Sequence, residues 1–183
     1  MLKKKAVLVD EGSGSTAYDS TENNNDGAIT AGSGDWVAGK YGSAYEFDGS
    51  AAYVDIGGTS QTNVKTVSFW LKAEDITSRK VIDIDGTDQI EIDGSSQITA
   101  TSFPGTVTYY LNGIAGDRTI TADTWYHVAI IDTSGVNASN VDIGRVSAGY
   151  FDGLIDEVKI YNYARTSEQI RIDYNAGFST HFK

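Results

Sequence analysis

Short stretches along this chain alternate apolar and polar residues with a period of two, the pattern of strands that bury one face. The alternation is clear in seven stretches, 44–48, 53–56, 67–72, 81–84, 89–92, 107–111 and 125–131. An apolar run at 6–9 predicts one more strand, and a last strand carries Leu154, Val158 and Ile160. The chain is therefore predicted to be rich in antiparallel β structure.

Turn signals separate these strands. Residue pairs that tolerate positive φ stand at Asp48-Gly49, Gly57-Gly58, Asp85-Gly86, Asp93-Gly94, Asn112-Gly113 and Asp152-Gly153. Such pairs allow tight reversals between strands. Strand, turn and strand at this spacing predict an all-β fold, a two-sheet antiparallel β-sandwich.

A short C-terminal helix is the only helical prediction. Thr166 and Gln169 have the spacing of a capping box, Ile170 and Tyr174 then share one face, and Gly177 is expected to end the helix. The Gly, Ser and Asn clusters are too short to separate domains. Residues 1–183 are therefore predicted to form a single domain.

The charge and composition of the chain limit the classes of partner that it can bind. The 14 basic and 25 acidic residues give a net charge of -11, which repels nucleic-acid phosphates and anionic membrane surfaces. No stretch approaches the roughly 18–20 apolar residues of a membrane helix. We therefore expect no nucleic-acid partner and no membrane insertion.

Residue usage also excludes several chemistries. The chain has no Cys, and its two histidines are His127 and His181. This rules out a thiol nucleophile, a disulfide framework, an iron–sulfur cluster and the usual Cys/His zinc sites. It also has no Gly-x-Ser-x-Gly elbow, and Gly39-Lys40 lacks the rest of a phosphate-binding loop.

Four stretches, in order, resemble the laminin-G-like branch of the concanavalin A-like lectin/glucanase superfamily. They are 10–27 (DEGSGSTAYDSTENNNDG), 39–49 (GKYGSAYEFDG), 66–72 (TVSFWLK) and 153–162 (GLIDEVKIYN). The resemblance covers nearly the whole chain and implies a jelly roll, an extracellular or cell-surface location, and frequently a structural calcium ion and glycan binding.

An acidic residue in the last strand points to a buried charge. Asp156 shares the parity of Leu154, Val158 and Ile160, so it would face the core with them. An unpaired buried carboxylate is too costly to leave alone. It must meet a metal, an arginine or several backbone donors, or a bulge must shift its parity.

The oxygen-rich loop at 19–26 suggests what such a carboxylate could meet. Calcium favours six to eight oxygen ligands, and this loop offers Asp and Asn side chains. The resemblance implies a Ca²⁺ site formed by Asp19, Asn23, Asn25 and Asp156, with Glu22 where the family often has Gly. The alternative is a loop held by hydrogen bonds alone.

A glucanase would need several acids on one strand face. Glu91 and Asp93 begin that pattern, about 7 Å apart by strand geometry. Ser96 stands where the glucanase motif requires a second glutamate, and Gly94 ends the strand early. We predict a solvated hairpin here, no catalytic residues and no enzyme activity.

Aromatic residues are the best sequence evidence for a ligand site, because sugar C–H faces stack on rings. Trp70 has the parity opposite to Phe69 and Leu71, which places it on the outer side of its sheet. Tyr109 and Tyr110 face opposite ways, so one is expected to be exposed. Trp70, Tyr109 and His127 are the predicted ligand-binding residues, although a packed strand residue is the other interpretation of His127.

The function predicted from the sequence is noncatalytic carbohydrate binding by a lectin-like module, with a glycan or polysaccharide as partner. The alternative is a structural or adhesion module that binds a protein or spaces other domains. A glycoside hydrolase is the third possibility.

Overall fold

Two antiparallel sheets pack face to face in the computed structural model, which describes residues 4–6, 11–59 and 61–179. In chain order the strands are β1 (Lys4–Ala6), β2 (Thr16–Ala17), β3 (Gly27–Thr30), β4 (Asp35–Ala38), β5 (Ser43–Asp48), β6 (Tyr53–Gly57), β7 (Val64–Ala73), β8 (Arg79–Asp83), β9 (Gln89–Ile92), β10 (Ile98–Thr101), β11 (Val107–Leu111), β12 (Ile114–Ala115), β13 (Tyr126–Val136), β14 (Val141–Ile143), β15 (Arg145–Val146), β16 (Gly149–Tyr150) and β17 (Asp152–Tyr161). A helix, α1 (Ser167–Ser179), follows.

The strand order defines the two layers. The first sheet runs β12-β11-β13-β7-β17-β5-β4, with β1 also paired to β17. The second sheet runs β10-β9-β8-β14-β6-β3-β2, and β15 and β16 form a separate hairpin next to β8. The predicted all-β two-sheet antiparallel sandwich with a short C-terminal helix is therefore confirmed.

The core lies between the sheets and follows the predicted alternation. Phe69 and Leu71 of the first sheet and Ile82, Ile90 and Ile143 of the second are essentially inaccessible to solvent. Burial of this apolar surface is the main favourable term in folding. Because the alternation fixes which side chains point inward, it also fixes the polar residues that each sheet presents outward.

Helix α1 covers the outer face of the first sheet. The predicted capping box forms, with Gln169 N–H donating to Thr166 Oγ1 at 3.2 Å and Thr166 N–H donating to Gln169 Oε1 at 3.0 Å. Ile170 packs against Tyr110, Ala129 and Ile131. The prediction that Gly177 ends the helix is wrong, since α1 continues to Ser179.

A bulge in β17 sets the direction of Asp156. The register with β7 shifts between Asp156 and Lys159, and Glu157 takes a φ of 54°. Ile155, Val158 and Ile160 therefore point into the core, whereas Asp156 points to the outer face. The expectation that Asp156 faces inward is wrong, and the bulge is the alternative that the chain uses.

Several short strands were not predicted from the alternation. They are β2, β3, β4, β10, β12, β14, β15 and β16. The strand predicted at 6–9 overlaps β1 only at Ala6, and residues 7–9 lie outside the described residues. Within the described part of the chain we find no helical stretch with the length and hydropathy of a bilayer-spanning segment.

Gly144 joins β14 to the hairpin and offers a sharp test of this packing. A Cβ at Gly144, where φ is +83°, would lie 2.2 Å from Cδ1 of Phe47. Gly86, at φ +90°, has open space around the same position. We expect Gly86→Ala to cost about 1–2 kcal/mol of unfolding free energy through backbone strain alone. Gly144→Ala should cost a further ~1–3 kcal/mol from overpacking.

Urea unfolding of both variants beside the wild type measures the difference. Equal losses of stability in the two alanine variants would contradict the tight packing of the hairpin base on Phe47.

Candidate functional site

Trp70 faces outward, as its parity predicts, but the protein itself covers it. Its ring is 3% exposed and stacks on Tyr174 of α1 at a centroid distance of 5.7 Å. Tyr41 meets it edge-on at 5.5 Å, and the Lys40 ammonium lies 4.7 Å from its centroid. In this arrangement the Trp70 ring offers no surface on which a sugar could stack.

His127 lies directly opposite Trp70 on β13 and is also 3% exposed. Burial, with smaller contributions from Lys159 and Arg165, lowers the pKa of His127 to about 3. The imidazole is therefore neutral at physiological pH. This environment favours the packed strand residue over a ligand contact.

Tyr109 lies on the other side of the first sheet, against the core cluster. Its hydroxyl accepts a hydrogen bond from Ala100 N–H at 3.0 Å, and the Arg118 guanidinium lies 5.3 Å from its ring centroid. Tyr110 is buried beneath α1. The expectation that one of these two tyrosines is exposed is wrong, and Tyr109 is not brought together with Trp70 and His127.

The predicted calcium loop is organised around Asp19. The carboxylate of Asp19 accepts hydrogen bonds from Thr21 N–H and Oγ1 and from Asn25 N–H and Nδ2. Asn23 Nδ2 donates to Thr21 Oγ1 at 2.8 Å. Burial alone would raise the pKa of Asp19, but these hydrogen bonds lower it below its usual value. The Asp19 carboxylate therefore accepts four hydrogen bonds from protein donors.

Asp156 lies in a different environment from Asp19. Its Oδ2 accepts a hydrogen bond from Tyr41 N–H at 3.0 Å on the outer face of the first sheet. Asp19 lines a cavity with Ile160, whose side chain points inward from β17. Four residues of strand, about 13 Å, separate Ile160 from Asp156, and the two point to opposite faces. The donor set therefore does not fit a single ion shared by Asp19 and Asp156.

The cavity beside Asp19 is small. Its lining is mostly apolar and includes Asn25, Ile56, Gln61 and Val141. Its volume, about 20 Å³, suits roughly one water molecule. A sugar ring would not fit there, so this cavity is not a candidate glycan site.

The acids that began the glucanase pattern are ordinary structural carboxylates. Glu91 pairs with Lys80 and accepts a hydrogen bond from Thr101 Oγ1 at 2.6 Å. Asp93 accepts hydrogen bonds from Ser95 N–H and Gln97 N–H in its turn. Burial raises the pKa of each acid, but these partners bring both below their usual values. Neither carboxyl is poised to donate a proton at neutral pH.

The outer face of the second sheet carries a row of carboxylates that are far apart in the sequence. Asp142 on β14 is in direct register with Asp55 on β6 and with Asp83 on β8. Side chains of paired residues point to the same face, and neighbouring strands are about 4.8 Å apart. Three acids therefore cross three adjacent strands on one face of the sheet, where Asp55 is exposed and Asp83 and Asp142 are only 3% and 4% exposed.

Asp142 is the centre of this row and is 4% exposed. Its Oδ2 accepts hydrogen bonds from Arg145 Nε at 3.0 Å and Nη2 at 2.7 Å. Its Oδ1 is buried and has no hydrogen-bond partner among the described residues. Burial raises the pKa of Asp142 above its usual value; the charges of Asp55 and Asp83 add to this, and Arg145 opposes it.

An aromatic ring completes this arrangement. The Arg145 guanidinium lies 3.5 Å above the centroid of Tyr53, which is half-buried on β6. Tyr150 is paired with Arg145 across the hairpin. Tyr53, Asp55, Asp83, Asp142 and Arg145, termed here the Asp142 face, are the candidate functional site.

A second polar network borders the Asp142 face. Lys80 Nζ bonds to Glu91 and to Gln89 Oε1, the latter at 3.1 Å, and Thr101 joins Glu91 from β10. The face thus combines acceptors, donors and a ring, the groups that recognise sugar hydroxyls and C–H surfaces.

The sequence held a signal for these acids. Asp55, Asp83, Asp142 and Glu91 each stand between two aliphatic residues, so each must point away from the core. What the pattern could not show is the register that places them side by side.

Comparisons with known proteins agree with this fold. Residues 48–136 match the family model of the Concanavalin A-like lectin/glucanases superfamily. Domain 4 of AbnA, a GH43 extracellular arabinanase from Geobacillus stearothermophilus solved with arabinotriose, is 24% identical with a TM-score of 0.67. The match covers 94% of this chain and 98% of that one. No curated protein matches the chain.

More distant structures share the same sandwich. A Trypanosoma rangeli sialidase in complex with the inhibitor DANA is 12% identical, with a TM-score of 0.63 over 93% of this chain and 32% of that one. The receptor-binding domain of botulinum neurotoxin type G is 13% identical, with a TM-score of 0.58 over 93% and 51%. The resemblance to the superfamily is therefore confirmed, and these similarities establish the fold.

The separation of Asp19 from Asp156 predicts how the domain responds to calcium. Calcium binding at the loop would stabilise the native state alone, by about 2.7 kcal/mol at a hundredfold excess over Kd. We expect any such rise in melting temperature, roughly 2–4 °C per kcal/mol, to be lost in Asp19→Ala and kept in Asp156→Ala. Thermal unfolding with calcium and with chelator measures it. Loss of the response in both variants would contradict the two separate environments.

Several aspartates lie close together at the turn after β8, and this predicts that the stability of the domain depends on pH. Burial, with the neighbouring charges of Asp85, Asp132 and Asp83, raises the pKa of Asp88 from 3.8 to about 6. An acid with a raised native pKa binds its proton more tightly in the folded state, so stability falls as pH rises from about 4 to 6. Asp88→Asn should therefore raise the melting temperature by several degrees at pH 7.5 and hardly change it at pH 3.5. A variant that is stabilised equally at both pH values would contradict this origin.

Proposed function

We propose that this concanavalin A-like lectin/glucanase domain is a noncatalytic carbohydrate-binding module, and that it binds glycans on the Asp142 face. The observation that carries the proposal is the grouping of the Tyr53 ring, the Arg145 donors and the Asp142 row on a sheet surface that α1 does not cover. The likeness to an arabinanase domain solved with arabinotriose supports a glycan as the ligand class and an extracellular setting.

The chemistry of the face suits sugar hydroxyls. Each hydroxyl is both a donor and an acceptor. The Asp55 carboxylate is exposed and accepts, and the hydrogen-bonded pairs Arg145–Asp142 and Lys80–Gln89 place donors beside it. Tyr53 contributes a half-buried ring, with Arg145 over one face and in hydrogen-bonding contact with its hydroxyl. Such shallow sites bind weakly, and we expect a Kd of roughly 10 μM to 1 mM.

The carboxylates of the Asp142 face and of its border bind and position rather than catalyse in this proposal. Burial raises the pKa of Asp142, but its Oδ2 is held by Arg145 and the residue is 4% exposed. Glu91 and Asp93 have pKa values below normal, and each is committed to structural partners. A glycosidase needs one carboxyl that is protonated near neutral pH and aimed at the leaving oxygen. Incubation with arabinan and β-glucans should therefore release no reducing ends.

Glycan-array screening followed by calorimetry tests the site. Arg145→Ala and Tyr53→Ala should each weaken binding of a neutral oligosaccharide by about tenfold, or ~1.4 kcal/mol, because each removes a group that contacts the sugar. Arg171→Ala is the matched control, since Arg171 is an exposed arginine on α1 that pairs with Glu168.

Two results would contradict the proposal. Unchanged affinity in both face variants would place the binding site elsewhere on the domain. The absence of any hit on a broad array would favour the adhesion or spacer module instead.

A further inference from the structure

The Asp142 face and the bordering Glu91 network carry more acidic than basic side chains. Asp55, Asp83, Asp142 and Glu91 point outward from four neighbouring strands of the second sheet, β6, β8, β14 and β9. Asp55, the outermost of the row, is exposed. The whole chain adds a net charge of -11 to the local field. Any ligand that approaches this face therefore meets a negative potential.

The cations of this face are already engaged by its own acids. Arg145 donates through Nε and Nη2 to Asp142 and stacks on Tyr53. Lys80 lies between Glu91 and Gln89. At the β10 edge, Arg118 lies close enough to Asp93 to lower the pKa of that carboxyl. A ligand carboxylate or sulfate would have to displace one of these pairs to gain a cation of its own.

Asp142 supplies the second, independent observation. Its Oδ1 is nine-tenths buried in the middle of the row and has no hydrogen-bond partner among the described residues. A buried acceptor without a donor is costly, and a hydroxyl hydrogen that reached it would relieve the cost. An anionic group placed there would instead add a fourth negative charge beside Asp55, Asp142 and Asp83.

We infer that the Asp142 face selects uncharged glycans and discriminates against polyanionic ones such as uronate-rich, sialylated or sulfated chains. This inference rests on the proposed function and names the class of ligand for the same site. The row of acids acts as a charge filter, which opposes an anionic group and does not oppose a neutral hydroxyl.

A chemically matched pair of ligands tests it. A uronate-containing oligosaccharide and its carboxyl-reduced, neutral counterpart differ only in charge and are titrated against the full chain by calorimetry. We expect the neutral form to bind at least tenfold more tightly at low salt. The ratio should shrink at 0.5 M NaCl, because salt of this strength screens the exposed Asp55 carboxylate and the net charge of the chain.

Two variants distinguish the effect of the acid row on ligand preference from the effect of the net negative charge of the protein. Asp55→Asn should reduce the neutral-to-acidic affinity ratio severalfold. Glu168→Gln changes charge equally on α1, on the opposite side of the sandwich, and should leave the ratio as it is. Equal reductions in the two variants would show that net charge, not the Asp142 face, sets the preference.

The outcomes are distinguishable from failure of the proposed function. Binding of the acidic form as tightly as the neutral form overturns the charge filter while leaving carbohydrate binding intact. Failure of both forms, and of every neutral glycan on the array, overturns the proposed function and this inference with it.

Discussion

The packing of α1 on the first sheet decides which surface of this sandwich is left for a ligand. A two-sheet sandwich buries both inner faces and leaves two outer ones. Here Ile170 and Tyr174 of the helix close one of them, over Ala129, Ile131 and Trp70. The helix does not cover the second sheet, whose outer face carries the Asp142 row beside the hairpin of β15 and β16. Which residues are able to meet a sugar therefore follows from where one short helix docks.

Much of the fold could be predicted because strands and helix ends depend on residues that are close together in the sequence. Alternation of apolar and polar residues located the long strands, and the Thr166 and Gln169 spacing located the start of the helix. Parity placed Trp70 on the outer side of β7 correctly. The parity prediction is wrong for Asp156, because a bulge at Glu157 shifts the strand by one residue. Side chains before the bulge therefore face the opposite way from the one that parity counted from Val158 and Ile160 predicts. A pattern with period two contains no sign of such an insertion.

The site was harder to predict because it depends on register. Asp55, Asp83 and Asp142 are far apart in the sequence, and each looks like an ordinary outward residue of its strand. Only the pairing of β6, β14 and β8 makes them neighbours. Burial of Trp70 and His127 was equally beyond the pattern, since it depends on long-range docking of α1. Trp70 and His127 do face outward, but contacts with α1 bury them.

The central claim is that the Asp142 face, and not the surface under α1, binds glycan. An NMR titration of the isotope-labelled domain with arabinotriose or an array hit tests this most directly. The account predicts amide shifts in β6, β8, β14 and the hairpin of β15 and β16, with α1 unmoved. Shifts concentrated in α1 and around Trp70, or no shifts at millimolar ligand, would contradict it.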